Sequence, residues 1–349
     1  MAKTERQSNI ELLRVIAILG VVILHYNGIG GALDSTSGIN HIICLTFESL
    51  FICSVDLFML ISGYFSCNSK KTIAQKPIKL LLQVIVFSGA WYLISCIKDG
   101  SFSISLFLRS LVPANYFVIL YVVVYLLSPY LNKIYEYMNS KLVVLLIVLF
   151  SVYPTLVDVF NIVTKSNWMG LSSIGLEGNQ SGYTIVNFVL LYFIGMFIRK
   201  EADKFARIKN VLLVLILCID IAVLVVVSYY SSLLHLPADL SRTYCNPLVI
   251  LESIIAFILF SRLNIGSIKW INKLSAACFT TFLIHAYFLS HIRIDWAVQQ
   301  NPIVLVLHML LSAIIIYLIS FCVFFVYDLI IRFLFKKIDQ KKMVITDLK

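Results

Sequence analysis

Arg14 and His25 bracket ten uncharged, almost wholly aliphatic residues in the stretch RVIAILGVVILH. A guanidinium is a permanent cation that matches phosphate or carboxylate, and an imidazole takes up and returns a proton near neutral pH. On a helix each residue turns about 100°, so the steps from Arg14 to His25 sum to three turns plus roughly 20° and the two residues share one face. Their Cα atoms then stand about 16 Å apart along the axis. Glu11, three residues before Arg14, is a neighbour on the same side, and Ile18 with Val21 or Val22 falls between. A charged side chain at mid-span costs on the order of 3 kcal/mol, so the pair is expected to line an enclosed, wet path. That geometry suits an elongated anionic ligand, its charge held by Arg14 and its reactive end offered to His25 as a general base. Plainer roles remain open: Arg14 is close enough to the end of the run to reach the headgroups, and His25 alone could be a neutral imidazole bonded to a neighbouring helix.

Further polar residues interrupt later apolar runs. SVDLFMLISGYF carries Asp56, Ser62 and Tyr64. Asp56 is read as a buried partner for His25 or a cation, or as a helix-packing hydrogen bond, and Ser62-Gly63 permits close backbone approach. In KPIK, Lys76 and Lys79 lie three apart and share a face if a helix begins there; they read as a phosphate clamp or as ordinary loop charge. NYFVILYVVVYLLSPYLNK brings Tyr116, Tyr121, Tyr125 and Pro129, where an interfacial aromatic belt explains some of the tyrosines. TTFLIHAY brings His285, a second imidazole in an apolar segment. Asp158, Asp220 and Glu252 lie in or near such segments without an assigned role.

The elements that must position these residues are membrane helices. Of 349 residues 60% are hydrophobic and only 13% charged, with a mean hydropathy of +0.94, and apolar runs near the length of a bilayer recur throughout. The expectation is an all-α polytopic membrane protein of about ten helices, at 9–29, 41–66, 79–97, 115–131, 142–160, 183–198, 211–232, 246–260, 274–290 and 302–327. The first run carries Glu11 and Arg14 with no small-residue cleavage site after it, so it reads as a retained span. Most of the 28 Lys and Arg residues then fall on alternate loops. Only Lys98, Arg109, Lys165, Arg242 and Arg293 lie on the other side, which places both termini in the cytoplasm by the positive-inside rule. The net charge of +10 therefore speaks about topology, anionic lipid and an anionic cytoplasmic substrate, not about nucleic acid. The dispersed cysteines form no C-x-x-C pair, so neither a metal site nor a disulfide framework is expected. One domain is expected over 1–335, with a short basic cytoplasmic tail at 336–349. Of the outer loops, 98–115 reads as an interfacial amphipathic segment or a connector, and 161–182 as polar and irregular.

Taken together, NIELLRVIAILGVVILHY, VDLFMLISGYF, NYFVILYVVVYLLSPYLNK and FTTFLIHAY resemble the acyltransferase-3 family of bacterial integral-membrane proteins, which O-acetylate surface and secreted glycans. The resemblance covers most of the chain. It implies a ten-helix acyltransferase of the bacterial cytoplasmic membrane that takes an acyl group, usually acetyl, from cytoplasmic acyl-coenzyme A to a carbohydrate hydroxyl. By the same resemblance His25 is the catalytic base and Arg14 engages the coenzyme A phosphates. Where many members carry Arg-x-x-Arg at the start of the third helix, this chain has Lys76 and Lys79, which keeps the charge but not the bidentate geometry. Some members add a soluble hydrolase-like domain after the helices. The expectation here is a chain without it, whose acceptor meets the membrane domain directly or through a separate soluble partner.

The leading reading is thus O-acylation of an envelope polysaccharide or lipid-linked glycan, with acetyl-coenzyme A as donor substrate and no permanently bound cofactor. Acylation of a small molecule is the same chemistry on another acceptor. A glycan or glycolipid transporter is the rival of a different class, because a polar stripe inside a bundle also describes a permeation path; the lack of an internal repeat weighs against it.

Overall fold

The structure is a computed structural model that describes residues 7–113, 115–166, 182–234, 239–335 and 344–347. It is about 81% helical, and all ten expected stretches are helical. The helices are α1 (Ser8–Asn27), α2 (Gly38–Phe51), α3 (Ser54–Ser66), α4 (Gln75–Asp99), α5 (Tyr116–Glu136), α6 (Ser140–Thr164), α7 (Ile185–Lys200), α8 (Asn210–Leu233), α9 (Pro247–Ser261), α10 (Cys278–Leu289) and α11 (Pro302–Phe335). Among the described residues seven stretches are long and apolar enough to cross a bilayer, with α2 and α3 counted as one. The helices α7, α9 and α10 fall short, at 16, 15 and 12 residues. The chain is a multi-pass membrane protein.

Local chemistry explains several boundaries. Asn115, Asn139, Thr184 and Asn246 each precede a helix and accept a backbone N–H of its first turn, which satisfies a donor that would otherwise be orphaned. Pro154 has no N–H to give, and the helix relaxes just before it: Val148–Val152 forms a π turn in which Tyr153 N–H reaches back to Val148 O. The run expected as one helix over 41–66 breaks at Ile52 and Cys53. The third expected helix starts earlier than 79, at Gln75, so Lys76 and Lys79 both lie in its first two turns.

Two compact units are present, Met1–Phe65 with Met138–Cys322 and Ser66–Tyr137 with Val323–Lys349. In the first, α1 packs against α2, α9 and α10. Two thirds of its apolar window is buried by protein, against about a fifth for α6 and α8, so the polar residues of α1 meet other helices while the outer helices meet lipid. Backbones approach closely at two glycines. A Cβ on Gly63 of α3 would stand 2.0 Å from Tyr192 O of α7, and one on Gly195 of α7 would stand 2.2 Å from Leu60 O of α3. This is the small-residue contact that apolar helices use where the hydrophobic effect cannot drive them together, and it bears out the close approach read from Ser62-Gly63.

In the second unit, strand β1 (Lys71–Ile73) pairs antiparallel with strand β2 (Val344–Asp347). Residues 344–347, within the expected short basic tail, are thus drawn back beside the start of α4. Asn132 of α5 donates to Ser66 O and Ser69 O, which holds the approach to β1. The segment 98–115, expected on the outer side, contains a short helix, Ile104–Ser110, that exposes Ile104, Leu106 and Leu108. The other expected outer loop lies largely on 167–181, outside the described residues, as do 336–343 and 348–349 of the tail.

Candidate active site

His25 lies in the last turn of α1 and His285 in the last two turns of α10. His25 Nδ1 and His285 Nε2 are in direct hydrogen-bond contact. The ring planes differ by only 5° and the centroids are 4.6 Å apart. Since nitrogen meets nitrogen, the rings lie edge to edge in one plane and are not stacked face on. His285 Nδ1 also lies 2.9 Å from Thr281 O. A carbonyl only accepts, so Nδ1 of His285 carries a proton, its Nε2 offers a lone pair, and His25 Nδ1 must be the donor between the rings. The chain of bonds leaves Nε2 of His25 as a bare lone pair. His285 is 3% exposed, whereas His25 keeps some accessible surface. One ring is fixed and sealed, and the other is held by it and reachable.

More polar side chains gather at this end of α1. Tyr26 Oη lies 2.8 Å from His308 Nδ1 of α11, and His308 meets the edge of Trp296. Asn27 Nδ2 donates to Cys44 O and to Glu48 Oε2, at 2.9 and 3.0 Å. Sequence reasoning missed Tyr26, Asn27, Glu48 and His308. His308 stands alone in the apolar run IVLVLHMLL, so the rule that singled out His25 would have found it.

At the other end, Arg14 Nη1 donates to Glu11 Oε1 at 2.9 Å, the side chains being 33% and 8% exposed. The predicted Glu11–Arg14 neighbourhood is therefore present, with most of the guanidinium's donors left over. Between Arg14 and His25 the face is closed: Ile18, Val21 and Val22 are 0%, 3% and 0% exposed. The wet path expected there is a packed apolar seam, because aliphatic side chains at this spacing interdigitate with α2, α9 and α10 and leave no room for water. A polar recess of about 450 Å³ opens at the Arg14 end of this unit, lined by Gln7, Asn9, Arg262 and Asn264 among others. Arg262 is committed there to Ile208 O and to Phe205 O and Asn210 Oδ1, pinning the loop after α7 to the end of α9.

Asp56 corrects the sequence reading. It is fully buried, but neither carboxylate oxygen has a hydrogen-bond partner, and it pairs with neither His25 nor a cation. His25 is satisfied by His285 instead. Ser62 turns its hydroxyl back to Phe58 O and Tyr64 packs on Phe257 beneath the Arg199 guanidinium; both serve the α3 packing. In the second unit Lys76 and Lys79 do come together, lining a recess of about 430 Å³ with Gln75, Gln83 and Tyr125. The Lys76 ammonium stands 4.4 Å from the Tyr125 ring centroid and 5.3 Å from that of Tyr121, a cation–π contact. Tyr116 begins α5, 37% exposed. Among the described residues no group of three or more His, Cys, Asp or Glu is placed to hold a metal ion.

One end of the buried helix α1 thus presents an imidazole lone pair in one fixed tautomer, and the other a guanidinium with unused donors. Comparison with curated proteins and with solved structures gave no match. The sequence pattern of the acyltransferase domain of the acyltransferase-3 family matches residues 7–328, nearly the whole chain. The chain belongs to the acyltransferase-3 family and is a membrane acyltransferase.

Proposed function

We propose that this acyltransferase moves an acyl group, acetyl in the first instance, from cytoplasmic acyl-coenzyme A to a hydroxyl of a cell-surface or secreted carbohydrate in a bacterial cytoplasmic membrane. The observation that supports the reading most is the His25–His285 pair. Nε2 of His25 takes the proton of the acceptor hydroxyl as its oxygen attacks the thioester carbonyl. The tetrahedral intermediate then expels the coenzyme A thiolate, which receives that proton back from the imidazolium. One C–O bond forms, one C–S bond breaks, and the products are an ester and a thiol. The imidazolium keeps its Nδ1–H bonded to His285 throughout, so the ring does not rotate between the two proton transfers.

Arg14 in the first unit, and Lys76 and Lys79 in the second, are the cations proposed for the donor's phosphates. An arginine with unused donors is suited to a phosphate group, while lysines act as point charges. Glu11 orients Arg14, and a carbohydrate acceptor or a separate soluble carrier meets the His25 end.

Membranes containing the protein, given labelled acetyl-coenzyme A and envelope glycan, should pass label to the glycan as an ester. Those containing His25→Ala at equal protein level should not. Wild-type labelling by the variant would overturn the mechanism, and absence of labelled ester with the wild-type protein across glycan and small hydroxyl acceptors would overturn the reading itself.

A further inference from the structure

Three carboxyl groups deep in the first unit serve neither end of α1. Asp56 of α3, Asp220 of α8 and Glu252 of α9 are 0%, 4% and 1% exposed. Both oxygens of Asp56, both of Asp220 and Oε2 of Glu252 have no hydrogen-bond partner. Glu252 lies within electrostatic reach of both aspartates, and the Cys53 thiol hydrogen-bonds it from the break between α2 and α3. Cys245, just before α9, is likewise within reach of Asp56 and of Asp158. From α1 no titratable group faces this level, since residues 15–24 are all uncharged.

The depth of the cluster follows from Gly20. A Cβ there would stand 2.5 Å from side-chain atoms of Phe51 and of Ser54, so the α2–α3 break lies against α1 midway between Arg14 and His25. Asp56 is two residues further on. None of the ion pairs among the described residues includes any of the three carboxyls, and no metal arrangement is present among those residues. A carboxylate buried without a cation or donors costs far more than it returns, whereas a carboxylic acid is neutral and supplies a donor of its own. Ionisable groups of this kind inside membrane proteins mark proton paths.

We propose that Asp56, Asp220 and Glu252 form a proton-binding site at mid-bilayer depth that exchanges its proton with water. The proposed acyl transfer returns its proton at His25 and does not pass through this cluster, so the proton site stands independently of the proposed function and is measured without substrate.

The full-length chain in lipid bilayers, examined by infrared spectroscopy at neutral pH, should show the C=O stretch of protonated carboxylic acids, shifted within minutes of transfer to D₂O. Asp56→Asn, Asp220→Asn and Glu252→Gln should each weaken that band. No such band, or one indifferent to all three substitutions, overturns the proposal. A band that shifts only on unfolding reduces the cluster to static packing and overturns it equally. Should a variant fail to fold, the wild-type chain decides: a hydrophobic carbodiimide, which adds to carboxylic acids, should modify at least one of the three residues as mapped by mass spectrometry, and modification confined to other carboxyls sinks the idea.

Discussion

At one end of α1, His25 meets a single partner along one line, and that partner is itself tied to a carbonyl of its own helix. At the other end, Arg14 keeps a third of its side chain exposed and spends one donor on Glu11, a neighbour on the same helix. The first arrangement crosses between two helices 260 residues apart in sequence and fixes a tautomer. The second is local and leaves its group free to adapt. A proton transfer needs a reacting nitrogen in one place and one protonation state, whereas holding a flexible, multiply charged donor needs charge more than position. On the proposed function, the two ends differ as a catalytic centre differs from an anchor.

The sharpest way to break that contrast is at His25. His25→Ala should lower kcat/KM for acyl transfer by roughly 10²–10⁴-fold, the span general-base catalysis supplies, while KM for acyl-coenzyme A stays within a small factor. A loss confined to KM would make both ends anchors. Next comes His285, which touches no reacting atom in this scheme and acts through His25. Losing the group that fixes a catalytic tautomer can cost as much as about 10⁴-fold when that group is a carboxylate; for a neutral imidazole we expect about 10²-fold in kcat for His285→Leu. His285→Gln, whose side-chain oxygen can accept from His25 Nδ1, should restore part of it. Equal activity of the Leu and Gln variants would show that His285 fills space only.

How much of this was legible beforehand divides along the same line. The helices follow from the length of apolar runs, and Glu11 beside Arg14 follows from helical spacing, because both are local. His285 was visible as an imidazole in an apolar segment, but its partner was not, since residue type and helical face do not say which helix packs opposite. The same gap sent Asp56 to His25 on paper: Asp56 lies beside the level of Gly20, well short of the end of the helix where His25 sits. The break at Ile52 and Cys53 carries no proline or glycine to announce it, and the pairing of β1 with residues 344–347 joins segments too distant for any local pattern. The wet path failed for a different reason. Two polar ends on one face imply a protected environment, and packed Ile18, Val21 and Val22 protect as well as water does.

Arg14 tests the anchor from the other side. Arg14→Ala removes a charge-assisted contact worth about 1.5–3 kcal/mol when the donor is bound, and with a side chain one-third exposed the low end applies. KM for acyl-coenzyme A should rise about tenfold with kcat little changed, and Arg14→Lys should recover most of it, since an adaptable anchor needs the cation more than the fork. A kcat loss in Arg14→Ala, unrelieved by Lys, would mean that this end is positioned as strictly as the other.

The smallest effect belongs to Glu11, and its size separates an orienting contact from the anchor itself. Glu11 and Arg14 are an i, i+3 pair on one helix, and such pairs with a partly exposed partner are worth about 0–1 kcal/mol. Glu11→Gln keeps a hydrogen-bond acceptor for the guanidinium while removing a negative charge from beside an anion-binding group. KM should therefore fall, by less than about fivefold, with kcat constant. A rise in KM as large as that of Arg14→Ala would place the strict geometry in the Glu11–Arg14 pair, and the two ends of α1 would then work by the same principle, each side chain fixed by one partner.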